Sequence, residues 1–320
     1  MNLMNKFTAI LSKYYGLEQV EVLRQKGGWA ALAYKVTEPE SRRSYFLKVY
    51  EKDRSSTPKW TARIDQYVPI TSWLERTTGL HGKIPVPMMT THGHYRCEDD
   101  YGIYLLYDYI DGETIGDKPL TQEQICQLAA IVAELHSCGK EMPVQSGNIV
   151  ENFELPFALS LKNILMTKGA GLPGDVYDLL GPYLEALNRM IFNADEISAV
   201  LKQSNLPLTL CHTDIHPWNL MQPQSRRQLM LIDWEGLKLA PVEADLMFVV
   251  DQPYFNEFMQ IYRQFHPDFT LNDRTLLFYQ IRRKLEDVWE FIEQLLFDRQ
   301  SPSERTSTLH SLEKELLEIK

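Results

Sequence analysis

Between Val20 and Glu51 the apolar positions come in short alternating runs. Segments Val20–Gln25, Leu32–Glu38 and Ser44–Glu51 are rich in β-branched and aromatic residues, and Gly27-Gly28 and the polar stretch Pro39–Ser44 separate them. This pattern predicts three antiparallel strands. From Trp60 to Arg76 the spacing of Ile64, Tyr67, Val68, Trp73 and Leu74 is helical, and Pro69, which lacks an amide hydrogen, predicts a bend or restart. Val86–Thr90 and Tyr101–Ile110 read as two further strands before Asp111-Gly112, a turn signal at which the composition changes. A lobe boundary is expected there, giving lobes 1–110 and 111–320.

The second lobe reads as mostly helix. Ile125, Leu128, Ala129, Val132 and Leu135 form one stripe over Gln122–Ser137, Tyr177–Met190 repeats the theme, and three more helical patterns follow Pro253, the longest over Arg274–Phe297. The exception is Leu208–Trp234, where LTLCHTDIH and LMLIDW read as two extended segments of a hairpin joined by a link containing Ser225-Arg226-Arg227. Strands first and helices after predict an α+β fold.

Composition narrows the function. Lys and Arg number 33 against 43 Asp and Glu, a net charge of −10, which disfavours a general nucleic-acid binder because such binding runs on excess positive charge. No apolar run approaches the ~18 residues of a membrane span, and MNLMNKFTAILSKYYG lacks the pattern of a secretory leader. A cytoplasmic protein with no membrane partner is expected. Cys97, Cys126, Cys138 and Cys211 are scattered without a C-x-x-C pair, so they suggest buried thiols rather than a disulfide framework.

The densest polar cluster is His212-x-Asp214-x-His216-x-x-Asn219, followed by Asp233 at the end of an apolar run. Phosphoryl transfer needs a carboxylate to orient the acceptor hydroxyl, and an amide oxygen with a second carboxylate to hold Mg²⁺ against nucleotide phosphates. Asp214, Asn219 and Asp233 supply those groups in that order, and Asn219 follows Asp214 at the five-residue separation of the kinase loop H-R-D-x-x-x-x-N. With CHTDIHPWNLM followed by LIDWEGLKLAPVEADLMFV, the chain resembles the aminoglycoside phosphotransferase and choline kinase superfamily, whose two-lobed folds are relatives of protein kinases. Within it, ID-W-acid, LAP, DLMF and FYQIRRKLEDVWEF are most similar to the spectinomycin-phosphorylating branch.

The resemblance implies an ATP-dependent kinase using Mg²⁺, with residues 1–110 as nucleotide-binding lobe and 111–320 as catalytic and substrate-binding lobe. Asp214 would be the catalytic base, Asn219 and Asp233 the Mg²⁺ ligands, and Asp245 a buried brace of the catalytic loop; His212 is expected to hold that loop, and His216 to support it or touch substrate. Lys48, on the strand face of Phe46 and Tyr50, would meet the phosphates. Its carboxylate partner is expected to be Asp65 on the following helix, with Glu75 as alternative. Gly27-Gly28 would let backbone amides approach the nucleotide, although Trp29-Ala30-Ala31 lacks the family's hydroxyl residues. Main-chain groups of Tyr107, Tyr109 and Ile110 would face adenine.

The implied acceptor is a hydroxyl of a cationic small molecule, an aminoglycoside or aminocyclitol antibiotic such as spectinomycin, or a metabolite alcohol of the choline, sugar or methylthioribose type. Glu286, Asp287 and Glu290 would bind its ammonium groups, with Trp289 stacking on it. Two other readings use the same residues. A kinase-fold protein could bind nucleotide without turnover, and His212, Asp214 and His216 could grip zinc if they alternate along a strand. Gly169-Ala170-Gly171-Leu172-Pro173-Gly174 matches G-x-G-x-x-G but has no strand before it and a proline where donors are needed, so it reads as a helix-to-helix loop. No G-x-x-x-x-G-K-[ST] segment is present.

Overall fold

The alternating stretch between Val20 and Glu51 folds into a meander. The computed structural model describes residues 3–25, 27, 30–140, 142, 149–167, 169, 171–224 and 226–319. Helix α1 (Leu3–Tyr15) precedes strands β1 (Glu21–Gln25), β2 (Leu32–Thr37) and β3 (Ser44–Glu51). Helices α2 (Thr57–Thr61) and α3 (Ile64–Thr77) lead to β4 (Cys97–Glu98) and β5 (Gly102–Asp108), completing an antiparallel sheet of order β1-β2-β3-β5-β4. Strand β6 (Gly112–Thr114) and helices α4 (Gln122–Ser137), α5 (Ala158–Met166), α6 (Gly174–Leu180) and α7 (Leu184–Leu201) follow. Next come β7 (Thr209–Cys211), β8 (Leu220–Pro223), β9 (Met230–Leu231) and β10 (Lys238–Ala240), then α8 (Glu243–Leu246), α9 (Phe255–Phe265), α10 (Asp273–Phe297) and α11 (Pro302–Leu317). The α+β architecture read from the pattern is the one observed.

Two compact units result. The first comprises Met1–Lys52, Thr57–Val150 and Thr209–Phe269; the second comprises Asp53–Ser56, Glu151–Leu208 and Thr270–Lys320. These units divide the chain differently from the lobes 1–110 and 111–320 expected from the sequence. In the first unit, period-2 alternation turns Tyr45, Leu47 and Val49 of β3 toward a core shared with Tyr34, Val36, Tyr104, Leu106 and, from α1, Phe7 and Leu11. That packing leaves Phe46, Lys48 and Tyr50 to the opposite face. The core of the second unit joins Leu161, Leu187 and Ile191 to Leu285, Val288 and Ile292 of α10 and Leu312 of α11.

Several elements differ from their sequence expectation. Helix α1, which buries Phe7, Ile10 and Leu11, is an element beyond those expected from the sequence. Pro69 lies inside α3, and the chain breaks earlier, between α2 and α3; the carbonyl that Pro69 cannot serve belongs to Asp65, on an exposed residue where water can replace the bond. Val86–Thr90 forms no strand, since Pro85 and Pro87 remove two ladder donors. Gly112 opens β6 rather than a turn, and a Cβ there would lie 2.5 Å from Gln222 O. Gly181-Pro182 divides the helical pattern of Tyr177–Met190 into α6 and α7. Strand β7 pairs with β10, while β8 pairs with β9 and β6, so LTLCHTDIH and LMLIDW do not form one hairpin.

Candidate active site

Two loops carry the polar cluster, one between β7 and β8 and one after β9, and the β8–β9 ladder (Leu220 opposite Leu231) sets their register. Ile232 N donates to Asn219 O at 2.9 Å, His212 Nε2 to Ile232 O at 2.9 Å, and Thr213 Oγ1 to Gly236 O at 2.9 Å. The loops are thereby stitched together on both sides of Asp214 and Asp233. Backbone strain gathers at the same place: Thr213 and Asp233 both adopt the left-handed region, at φ 70° and 65°. For β-branched Thr213 this is costly, and the bonds around it must hold it there.

Asp245, on α8 and fully buried, organises the first loop. Its Oδ2 accepts from His212 N at 3.0 Å and His136 Nε2 at 2.9 Å, and its Oδ1 from Thr213 N at 2.5 Å. Tyr262 Oη donates to His136 Nδ1 at 2.8 Å, which fixes the imidazole tautomer. His212 is equally committed, because its Nδ1 accepts from Asp214 N at 3.2 Å while its ring meets Trp234 edge-on, with centroids 4.7 Å apart. Burial lowers its pKa, so it is held neutral.

Asp214 ends up pointing out of this scaffold, a quarter exposed. Asn219 Nδ2 donates to Asp214 O and Oδ2, both at 2.9 Å, and His216 Nε2 lies 3.3 Å from Asp214 Oδ1. His216 therefore sits within the loop, its ring edge-on to Phe248, and flanks the Asp214 carboxylate. The Asn219 amide spends its donors on Asp214, which leaves Oδ1 as the atom it can offer a cation. Asp233, about half exposed, adds a carboxylate. An amide oxygen with a carboxylate is a hard, all-oxygen donor set, and it suits Mg²⁺.

Lys48 reaches across from β3, and its partners differ from expectation. Its Nζ lies 2.5 Å from Glu235 Oε1 and 2.9 Å from Asp233 Oδ1. Burial works against its charge, yet the Asp233 and Glu235 carboxylates outweigh it and raise the lysine pKa well above its ordinary value. Asp65 is not the partner: 63% exposed, it pairs with Arg96 at 3.1 Å. Glu75 pairs with His81 instead. The register of α3 presents Tyr67, 2% exposed, to this environment in place of an acid. Glu235 and Tyr50, whose Oη donates to Glu235 Oε1 at 2.5 Å, are the site residues that sequence reasoning missed. The available signals were the shared strand face of Lys48 and Tyr50 and a second acid two positions past Asp233.

The remaining nucleotide candidates are less complete. Gly28 lies outside the described residues, whereas a Cβ on Gly27 would meet Ala31 O at 3.0 Å, so the backbone closes tightly there. Tyr107 packs beside Phe46, with centroids 6.3 Å apart. Tyr109 N donates to Ser44 O at 3.1 Å, so that amide is already committed within the sheet.

Glu286, Asp287 and Glu290 lie on α10 in the second unit. Arg283 Nε donates to Asp287 Oδ2 at 2.9 Å, one turn away, and Lys284 bridges to Glu315 of α11 and to Glu318 just past its end. Trp289 packs against the apolar core of the unit rather than standing free to stack on a ligand. Burial pushes the Asp287 carboxyl up to about 6, with Glu315 adding to the effect and Arg283 opposing it. A carboxyl raised in the folded state favours folding when protonated, so its contribution is complete below about pH 4 and lost as pH rises through about 6. Asp287→Asn is expected to stabilise the chain by roughly 1–3 kcal/mol at pH 7 and by almost nothing at pH 4. Denaturant unfolding of both proteins across that range checks it; a pH-independent difference rejects it.

The zinc arrangement is ruled out by the bonding. The segment leaves the strand after Cys211, and both His212 nitrogens are occupied. His136, Cys211 and Asp245 also approach one another, but both nitrogens of His136 are likewise committed. The Gly169–Gly174 stretch connects α5 to α6, with Gly169 and Gly171 at positive φ, as a helix-to-helix loop. Among the described residues no helix is long and apolar enough to cross a membrane.

A model described as a phosphotransferase enzyme family matches residues 21–270. No curated protein matches the chain. Among solved structures it is similar to spectinomycin phosphotransferase in complex with ADP and spectinomycin, at 19% identity and a TM-score of 0.76, covering 97% of this chain and 93% of that one. A microcompartment-associated aminopropanol kinase matches at 13% identity and a TM-score of 0.63, over 98% and 95% of the two chains. An ethanolamine kinase of Plasmodium vivax matches at 11% identity and a TM-score of 0.58, over 96% and 87%.

Proposed function

Starting from the chain's membership of the phosphotransferase enzyme family, we propose that it moves the γ-phosphoryl group of ATP to a hydroxyl of a cationic amino alcohol, with Asp214 as the catalytic base. The observation that carries this reading is the stitched pair of loops that sets Asp214, Asn219 and Asp233 at one site with Lys48 beside them. Asp214 accepts the acceptor's hydroxyl proton as that oxygen attacks the γ-phosphorus, and the bond to the bridging oxygen of ADP breaks. Asn219 both orients Asp214 and, with Asp233, would hold Mg²⁺. Bound there, Mg²⁺ offsets the negative charge of the phosphates. Lys48 meets those phosphates, and most of the rate enhancement comes from positioning and electrostatics. His212 and Asp245 keep the loop in its strained shape.

Similarity to a spectinomycin phosphotransferase supports an aminocyclitol or aminoglycoside acceptor, and hence a role in antibiotic resistance. Similarity to aminopropanol and ethanolamine kinases favours, as a second reading, a small metabolic amino alcohol. The two share a hydroxyl near an ammonium group, in keeping with a chain of net charge −10. The deciding experiment is ³¹P NMR of the protein with MgATP and, separately, spectinomycin, kanamycin, ethanolamine, aminopropanol and choline. A new phosphomonoester resonance is expected with one of these. Intact ATP with all of them rejects an amino alcohol as acceptor.

A further inference from the structure

The pairing of Lys48 points to a role for Glu235 that neither the family resemblance nor the catalytic motif assigns. Glu235 follows Asp233 by two residues, in the tight turn Trp234–Gly236, and its side chain is 7% exposed against 48% for Asp233. Glu235 Oε1 accepts from both Lys48 Nζ and Tyr50 Oη at 2.5 Å, and these two donors stand on one face of β3 two residues apart. The carboxylate is therefore gripped from the sheet, while Asp233 is left partly open. Helix α3, the element expected to supply an acid, packs against this turn and brings Tyr67 near Glu235, while its Asp65 is turned away to Arg96. A buried ammonium needs a fixed counter-charge whether or not phosphates are present.

We propose, resting on the phosphotransfer reading of the site, that Glu235 is the standing partner that positions Lys48 for the nucleotide phosphates, in place of a helix acid, so that Asp233, which Lys48 also touches at 2.9 Å, can turn to the cation when it binds. One turn of chain then supplies both acids with a division of labour, the half-exposed one to the metal and the buried one to the lysine. The lysine's orientation no longer depends on where α3 sits. Glu235 is a positioning residue in this scheme, acting through Lys48. Without it Lys48 would rest on Asp233 alone, its second partner at 2.9 Å, and compete with the cation for that carboxylate.

A double-mutant cycle tests this in the nucleotide-free protein. Lys48→Met and Glu235→Gln, singly and together, are expected to show coupling equivalent to about tenfold or more in the unfolding equilibrium constant, whereas Lys48→Met and Asp65→Ala are expected to be additive. In turnover, Glu235→Gln is expected to lower kcat about tenfold or more with little change in acceptor KM, and to add nothing to Lys48→Met. Additivity of the Lys48 and Glu235 changes, or coupling to Asp65, overturns the proposal. So does an increased Mg²⁺ requirement for ATP binding in Glu235→Gln that persists in the Lys48→Met background, because that makes Glu235 a cation ligand. A wild-type chain that transfers no phosphate rejects the reading of the site itself; transfer by Glu235→Gln at the wild-type rate rejects the positioning role alone.

Discussion

Asp214→Asn is expected to lower kcat by at least about a hundredfold while MgATP still binds, because it removes the proton acceptor and leaves the phosphate- and cation-binding groups in place. The substitution is close to isosteric, and Asn219 Nδ2 can still donate to the Asp214 main-chain oxygen, a bond of 2.9 Å in the native loop. His212 Nδ1 likewise keeps its bond from the backbone amide at position 214. The loss should therefore fall on the chemical step. Initial rates with a responsive acceptor, set beside calorimetric titration of MgATP, separate the two effects. A variant that turns over at the wild-type rate removes Asp214 from the mechanism, and one that also loses MgATP shows that the side chain serves binding instead.

Asp245→Ala is the second large effect, expected chiefly in stability at about 3–5 kcal/mol. The carboxylate is solvent-free and serves three donors, His212 N, Thr213 N and His136 Nε2, each of which would be left buried and unanswered. Thr213 is held at φ 70° by these contacts and by its bond to Gly236 O, so losing them should let the loop relax toward ordinary backbone angles. Activity should fall with stability, since Asp214 is the next residue. Gly236 is part of the same lock: a Cβ there would lie 2.4 Å from Thr213 Oγ1, which leaves room for no side chain. Denaturant unfolding measures the effect, and an alanine variant as stable as the wild type would show that the network contributes no net stability.

These residues differ in how readable they were. The separation of Asp214 from Asn219, and Asp233 at the end of an apolar run, are local facts of the chain, and local spacing is what a linear reading preserves. The β3 face was readable for the same reason, since a period of two needs only the strand itself. Helix α4 matches its expected span Gln122–Ser137 because its apolar stripe is equally local, and the structure adds a capping box of Thr121 and Gln124 at its start. The partner of Lys48 could not be read. Asp65 has the right charge on the right helix, but the direction a helical residue faces is set by how the whole helix packs, and Tyr67 took the inward position. Glu235 is 187 residues from Lys48, and no pattern near either one announces the other.

The strand pairing divides the same way. Alternation showed that Thr209–Cys211 and Met230–Leu231 are extended, yet their partners were decided by the loops between them. Thr213 turns left-handed and Pro217 opens a 3₁₀ turn, so β7 cannot continue toward β9 and closes with β10 instead. What the linear chain could settle was therefore the identity of the chemical groups and the kind of element bearing each, because both depend on neighbours within a few residues. Which groups touch was left to tertiary packing, where burial of Tyr67, exposure of Asp65 and the grip of Lys48 and Tyr50 on Glu235 are chosen together, since an ammonium and a carboxylate can leave water only in each other's company.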